Sequence, residues 1–149
     1  MELTGETTIE AAPETVWKTV SDPEALVECI PGADEVERVS DEEYTGTITK
    51  SVAGIGVKLD GTVELTELEP HEFMAATTTA TDNRSGTWTK LTGSAEMELI
   101  ETDEGTAVDY VITIDVSGRL ASRGAHLVKP TVRSDVDAFF DAVAEQAES

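Results

Sequence analysis

The side chains most often found in catalytic and metal sites are scarce in this chain of 149 residues, which has two histidines and one cysteine. His71 falls in a predicted hairpin turn and His126 on a predicted helix, with no second ligand at metal-binding spacing. Zinc sites use three or four nitrogen, sulfur or oxygen ligands. The sequence therefore predicts no metal site, and we expect both histidines to be exposed polar residues.

Cys29 has no histidine beside it in the sequence to generate a thiolate. We expect a buried, unreactive thiol at the end of a short helix, and a lone cysteine cannot form an internal disulfide. The glycine pair Gly54-Ile55-Gly56 lacks the rest of a dinucleotide or phosphate-binding motif, so it indicates a mobile hairpin near a pocket mouth. No catalytic residue and no cofactor are predicted.

Four of the ten basic residues lie in one stretch, in two pairs spaced i,i+4 with His126 between them. They are Arg119, Arg123, Lys129 and Arg133. Two interpretations stay open. The stretch could dock an anionic headgroup or an acidic patch on a partner, or neighbouring carboxylates could neutralise it, each exposed pair then contributing about 0–1 kcal/mol.

The charge of the chain is extreme, because 31 acidic residues against 10 basic ones give a net charge of −21. The carboxylates recur throughout, and the 39% of hydrophobic residues keep their periodicity, so the chain is expected to fold. This pattern resembles a cytoplasmic protein of a salt-loving archaeon, since concentrated salt screens self-repulsion. The rival interpretation is an acidic docking surface for a basic partner. Nucleic-acid binding needs a basic footprint and is not expected.

The chain opens with a predicted strand over residues 2–10 and continues into helices. Pro13 suits the first turn of a helix, and Ser21 or Asp22 followed by Pro23 predicts the start of a second, short one. No secretory segment and no apolar run of about 20 residues occurs. We therefore expect a cytoplasmic protein.

Residues from about 34 to 117 have the alternating pattern of strands. Turn signals divide this stretch into about six strands joined by hairpins, among them a turn from Asn83 to Gly86, and Gly61 is predicted to be a bulge or bend. Sequential hairpins predict an antiparallel meander. Residues 120–147 then have helical periodicity, which Pro130 is expected to kink or split.

The segment from Asp22 to Gly32, with its Cys29-Ile30-Pro31-Gly32 turn, is similar to a signature of the family of the carbon monoxide dehydrogenase G subunit. The opening Met-x-Leu-x-Gly, Pro13 with Trp17, and Gly118-Arg119-Leu120-Ala121 extend the resemblance, which indicates a haloarchaeal-type member. It implies an α+β, helix-grip (START-like) fold over residues 1–149 as one domain. A curved antiparallel sheet of about seven strands, with two short helices, would hold a long C-terminal helix.

Such a fold usually leaves a cavity between sheet and helix. The small residues Ala121, Gly124 and Ala125 favour one here, because they leave space opposite the sheet. The alternative is a filled core. The predicted ligand-binding residues are Val57, Leu59, Leu91, Met97, Tyr110, Ile112, Leu120, Gly124, Leu127 and Val128.

The resemblance implies a non-enzymatic accessory protein. It would bind a lipid or quinone-like molecule and assist a carbon monoxide dehydrogenase or related molybdenum hydroxylase, with peripheral contact at the inner face of the membrane. Two alternatives remain. One is an enzyme of the polyketide cyclase or hydrolase type, which needs an acid–base pair in the cavity. The other is a general START-like carrier of hydrophobic ligands.

Overall fold

The structure, a computed structural model, describes residues 1–52, 54–84 and 88–149. Its strands are β1 (Glu2–Ile9), β2 (Ala33–Ser40), β3 (Glu43–Val52), β4 (Ile55–Glu69), β5 (Phe73–Asp82), β6 (Thr89–Thr102) and β7 (Gly105–Gly118). Its helices are α1 (Pro13–Ser21), α2 (Pro23–Cys29) and α3 (Ala125–Glu148), with a 3-10 turn at Leu120–Arg123.

The two short helices begin where the sequence predicts. Pro13 opens α1, which buries Val16 and Val20 on one side. Asp22 caps α2, since its carboxylate accepts a hydrogen bond of 3.0 Å from the Glu24 backbone N–H. Pro23 stands at the first position of α2, where a missing N–H costs no hydrogen bond.

The seven strands form a single antiparallel sheet in the order β1-β7-β6-β5-β4-β3-β2. Strands β2 to β7 follow one another as neighbours, and β1 closes against β7 along its whole length. The predicted fold class is confirmed: a curved antiparallel sheet with two short helices and a long C-terminal helix.

Gly61, predicted to be a bulge or bend, is not a bulge. Gly61 pairs in regular register with Gly46 on one side and Ala80 on the other, and the irregularity in β4 lies between Leu65 and Glu67. An added Cβ at position 61 would lie 3.2 Å from the Ala80 Cβ, a tight contact that glycine avoids.

Two further local expectations concern hairpins. Val52 pairs directly with Ile55, so Ile55 and Gly56 belong to β4, and only Gly54 of that glycine pair lies in the connection. Gly54 has φ 80°, which a glycine adopts without strain. The turn predicted from Asn83 to Gly86 includes residues 85 and 86, which lie outside the described residues.

Strand β2 is one edge of the sheet, and its pairing with β3 shifts register near both of its ends. The shifts fall between Ala33 and Glu35 and between Arg38 and Ser40. Most of the side chains of this strand are exposed, and several are charged.

The C-terminal helix breaks at Gly124, and Pro130 does not split it. Gly124 has φ 85° and follows the 3-10 turn. Its backbone N–H donates a hydrogen bond of 3.1 Å to the carbonyl of Ala121. The continuous helix starts at Ala125 and contains Pro130 in its second turn. The φ of Gly124 lies outside the right-handed helical region, so the helix cannot run through it, whereas Pro130 removes one intrahelical hydrogen bond and the helix continues past it.

The outer face of the sheet carries carboxylates side by side. Asp109 of β7 pairs with Glu6 of β1 and with Glu98 of β6, which places three acidic residues in one row. The hydrogen bond and the repulsion between Glu6 and Asp109 raise the pKa of the Glu6 carboxyl. Neighbouring carboxylates on this face therefore repel one another directly, in addition to the repulsion that the net charge of the whole chain produces.

Candidate ligand-binding cavity

A cavity of about 490 Å³ separates the inner face of the sheet from the first half of α3. Apolar side chains of β3 to β7 form its floor, and α2 and the loop after it contribute Leu26, Ile30 and Pro31. The helix covers it with Val128, Val132 and Val136. The volume lies within the range of roughly 300–1,000 Å³ that small-molecule sites occupy.

The space exists because the sheet carries small residues where it faces the helix. Gly61, Ala76, Ala80 and Ala95 all line the cavity, and Ala76 and Ala95 are direct cross-strand partners. With short side chains on neighbouring strands, the floor cannot reach the side chains of α3. From the sequence, small residues of the helix were expected to leave this space, whereas in the structure small residues of the sheet do so.

The three small residues near the start of the helix do not produce the space. Ala121 is exposed, and the side chain of Ala125 lies outside the part of the chain that is described. Gly124 is absent from the lining, and a Cβ there would meet the His126 ring at 3.1 Å.

Seven of the ten predicted ligand-binding residues line the cavity: Leu59, Leu91, Met97, Tyr110, Ile112, Leu120 and Val128. The other three, Val57, Gly124 and Leu127, do not. Val57 is packed tightly in an apolar cluster with Val52 and Ile55 beside the cavity. Leu127 is 49% exposed, because the helix starts at Ala125 and turns this position towards solvent.

Tyr110 closes the cavity on the β1 side. Its ring stacks on Phe140 with centroids 4.7 Å apart, and a side chain at Gly5 would collide with its hydroxyl. Arg133 donates a hydrogen bond of 3.1 Å to the Tyr110 hydroxyl and another of 3.2 Å to the Thr4 carbonyl. The helix is thus tied to the β1 edge of the sheet through the wall of the cavity.

An ion pair in the lining was not predicted from the sequence. Lys50 of β3 donates to the carboxylate of Asp135 on α3, and both residues border the cavity. The signal was present in the sequence, because Lys50 continues the inward-facing alternation of Tyr44, Ile48 and Val52. A lysine at an inward position of a half-buried strand is a departure from the apolar pattern.

The four basic residues that the sequence analysis groups in one stretch are divided between two elements. Arg119 and Arg123 belong to the 3-10 turn region, and Gly124 separates them from Lys129 and Arg133 on α3. Arg119, Arg123 and Lys129 are exposed, whereas Arg133 is half-buried against Tyr110. Of the four residues predicted for docking, the structure therefore leaves Arg119, Arg123 and Lys129 exposed.

A second group missed from the sequence is a clasp at the end of β5. Asp82 is 1% exposed and accepts hydrogen bonds from the Lys58 backbone N–H at 2.9 Å and from the Arg84 guanidinium at 2.8 Å. These bonds hold the pKa of the Asp82 carboxyl well below its ordinary value, and the bond from the Arg84 side chain has the largest effect. Burial opposes them, because it raises the pKa of a carboxyl. The clasp joins β5 to β4.

The remaining chemistry-bearing residues stand apart from the cavity lining. His71 and His126 are exposed, and His71 contacts the Trp17 ring edge-on with centroids 6.1 Å apart. Cys29 is 2% exposed, and burial raises the pKa of its thiol. Across residues 1–52, 54–84 and 88–149, no group of three histidine, cysteine or acidic side chains is placed to hold a metal ion.

The sequence matches the family of the carbon monoxide dehydrogenase G subunit (CoxG) over residues 5–148. The chain belongs to this family. A comparison with curated proteins finds no match. Among the described residues, no helix combines the length and apolar character that a membrane crossing requires.

Solved structures with the same fold span nearly the whole chain. A conserved protein from Geobacillus kaustophilus superposes with a TM-score of 0.90 at 19% identity, covering 99% of this chain and 95% of its own. A protein from Rhizobium leguminosarum has a TM-score of 0.74 at 10% identity, with coverages of 99% and 94%. Ara h 8.0201 has a TM-score of 0.69 at 16% identity, with coverages of 99% and 97%. These similarities establish the START-like fold of the chain.

Proposed function

We propose that this protein is a non-enzymatic carrier that holds a lipid or quinone-like molecule in the cavity beneath α3. The observation that carries the proposal is the cavity of about 490 Å³ with its almost wholly apolar wall. Burial of an apolar ligand there would gain roughly 25 cal/mol for each Å² removed from water. The space is already formed, so the protein need not unpack its core to admit a ligand.

Membership of the CoxG family supports a place beside a carbon monoxide dehydrogenase or related molybdenum hydroxylase. A carrier of a quinone-like molecule would move it between such an enzyme and the membrane. The exposed cations Arg119, Arg123 and Lys129 are the proposed docking residues for an anionic headgroup or an acidic patch on the partner. Genes for molybdopterin, flavin and iron–sulfur proteins beside this one would support the partner.

The test is to fill the cavity and measure ligand retention. Ala76→Phe places a ring in the cavity from the middle of β5. We expect apolar compounds recovered by organic extraction and mass spectrometry to fall at least about tenfold, with little change in melting temperature, because the ring enters empty space. The matched control is Thr77→Phe, whose exposed side chain lies on the opposite face of the same strand. It should retain ligand like the parent.

A filled interior would respond differently. Overpacking costs roughly 1–3 kcal/mol, so Ala76→Phe would then melt far below Thr77→Phe. If that occurs and the parent neither retains nor binds an apolar molecule, the carrier function is refuted, and the protein more simply acts through its basic surface.

A second candidate is an enzyme of the polyketide cyclase or hydrolase type. The observation in its favour is that Lys50 and Asp135 bring a donor and an acceptor to the cavity wall, as general acid–base chemistry requires. The two functions differ in what happens to a bound compound. A carrier releases it unchanged, whereas an enzyme converts it, and mass spectrometry of the extracted compound after prolonged incubation distinguishes them.

A further inference from the structure

The Lys50–Asp135 pair is out of place in the wall that contains it. Lys50 lies on the inner face of β3 with 16% of its side chain exposed, and Asp135 on α3 has 33% exposed. Replacing such a pair by apolar residues of similar volume is often neutral or stabilising. The stability of the fold therefore does not explain why a charged pair stands here. Binding of a ligand in the cavity would explain it.

Each member of the pair retains hydrogen-bonding capacity. A lysine ammonium has three donors and a carboxylate accepts about four hydrogen bonds. In the described part of the chain, the bond between Lys50 and Asp135 is the one hydrogen bond that either side chain makes. A ligand oxygen beside them could accept from Lys50, and a ligand hydroxyl could donate to Asp135.

The charges decide which kind of ligand group fits. The two charges cancel, so a neutral polar group adds no uncompensated charge. A ligand carboxylate would place a second negative charge beside Asp135, in a chain whose net charge is already −21, and a ligand amine would face the Lys50 ammonium. Desolvating an unpaired charge in an apolar wall is costly.

We propose that Lys50 and Asp135 form the polar end of the cavity and bind a neutral oxygen-bearing group, carbonyl or hydroxyl, on an otherwise apolar ligand. This inference rests on the proposed carrier function and specifies its ligand class. One site accommodates both a carbonyl and the hydroxyl formed by its reduction, because the donor and the acceptor are adjacent.

A matched ligand series tests the proposal. 2-Undecanone, 1-undecanol, undecane and undecanoic acid share one chain length and differ in the group at one end. Their affinities are measured at pH 8 by displacement of the neutral fluorophore N-phenyl-1-naphthylamine. We expect the ketone and the alcohol to bind about 3- to 10-fold more tightly than the alkane, the ratio that one net hydrogen bond gives. The ionised acid should bind no more tightly than the alkane.

Variants assign that preference to the pair. In Lys50→Met the ketone and the alkane should bind with about equal affinity, while the affinity for undecane should equal that of the parent. The double variant Lys50→Met/Asp135→Leu removes both charges, which avoids the unpaired carboxylate of the single variant. Lys58→Met is the matched control, since Lys58 is an exposed lysine on the opposite face of neighbouring β4. It should keep the preference of the parent.

The outcomes separate this inference from the carrier function. Equal binding of alkane, ketone and alcohol would overturn the inference and leave the carrier function standing. Tightest binding of the acid would overturn it in favour of an anion site. If neither the fluorophore nor any member of the series binds, the carrier function itself is wrong and the inference falls with it.

Discussion

The interior of the protein differs between the two halves of α3. Beneath the C-terminal half, Val143 and Ala147 pack with Leu99, Val108 and residues of α1 into a continuous apolar cluster, here called the solid end. Beneath the N-terminal half, Val132 of the helix and Leu91 of the sheet both line the cavity, here called the hollow end. The same helix thus completes a core at one end and covers a space at the other.

The two ends are stabilised by different interactions. The solid end has apolar contacts throughout, and the stacked rings of Tyr110 and Phe140 stand where it meets the cavity. The hollow end lacks dispersion contacts across its space, and hydrogen bonds from Arg133 to Tyr110 and to the Thr4 carbonyl join the helix to the sheet at the cavity wall. The Asp82–Arg84 clasp joins β5 to β4 outside the cavity lining. The difference teaches that a binding fold can keep its interior empty if directional bonds at the rim hold the walls in place.

The largest expected effect comes from changing the solvent, because salt acts on every carboxylate at once. From dilute buffer to 1 M KCl the Debye length shortens to about 3 Å, which relieves self-repulsion at a net charge of −21. We expect the melting temperature to rise markedly. A melting temperature that does not respond to salt would contradict the proposal of adaptation to high salt.

The next effect separates the two ends within one strand. Leu91 and Leu99 both lie on the inner face of β6, Leu91 on the cavity and Leu99 in the solid end. Leu99→Ala should lower the free energy of unfolding by about 3–5 kcal/mol, because it opens a new void in packed surroundings. Leu91→Ala should cost less than half of that, since its side chain already borders empty space.

Urea denaturation of both variants measures this difference, with equal m-values as the check that the unfolding reaction is unchanged. Equal losses of stability at the two positions would show that the hollow end is packed in solution as tightly as the solid end, and the comparison would fail.

The smallest effect tests the Asp82–Arg84 clasp through pH. The pKa of Asp82 is lowered in the folded state, so the ionised carboxylate stabilises the fold above its unfolded pKa of about 3.9. This stabilisation is lost as the pH falls from about 5. Asp82→Asn should therefore lower stability at pH 7 by roughly 1–2 kcal/mol. The difference from the parent should shrink steadily below about pH 4.

Thermal unfolding across this pH range follows the effect, and Asp60→Asn serves as the control because Asp60 is an exposed aspartate on β4. A constant difference between parent and Asp82→Asn down to pH 2 would mean that the lost interaction does not depend on ionisation.

Most of the fold could be predicted from the sequence, because local signals and the global topology agree. The proline positions and the Asp22 cap predict the two short helices, and alternation with turn residues predicts the meander. Gly124 was misread, since a glycine within helical periodicity gives no sign of its φ until the chain direction is known. Gly61 was misread for a related reason, because a glycine in a strand can provide space as well as a bulge.

The sequence predicts most of the cavity lining but not the residues that create the empty space. Leu59, Leu91 and Tyr110 follow from alternation within strands, which one sequence shows directly. The hollow depends on small residues of neighbouring strands coming together, and cross-strand register is not visible in a single strand. Lys50 was visible as an inward-facing lysine, but its partner Asp135 is 85 residues away, and only the folded chain brings the two together.

The register shifts of edge strand β2 have a consequence for self-association. Exposed edges can pair with one another, and proteins prevent this with charged side chains or with bulges. Charges such as those of Glu35 and Arg38 keep two edges apart at low ionic strength, but 1 M salt would shorten the Debye length to about 3 Å and screen them. A bulge distorts the ladder of N–H and C=O groups whatever the ionic strength. The irregular pairing near both ends of β2 therefore gives this edge a protection against self-pairing that does not depend on the salt concentration.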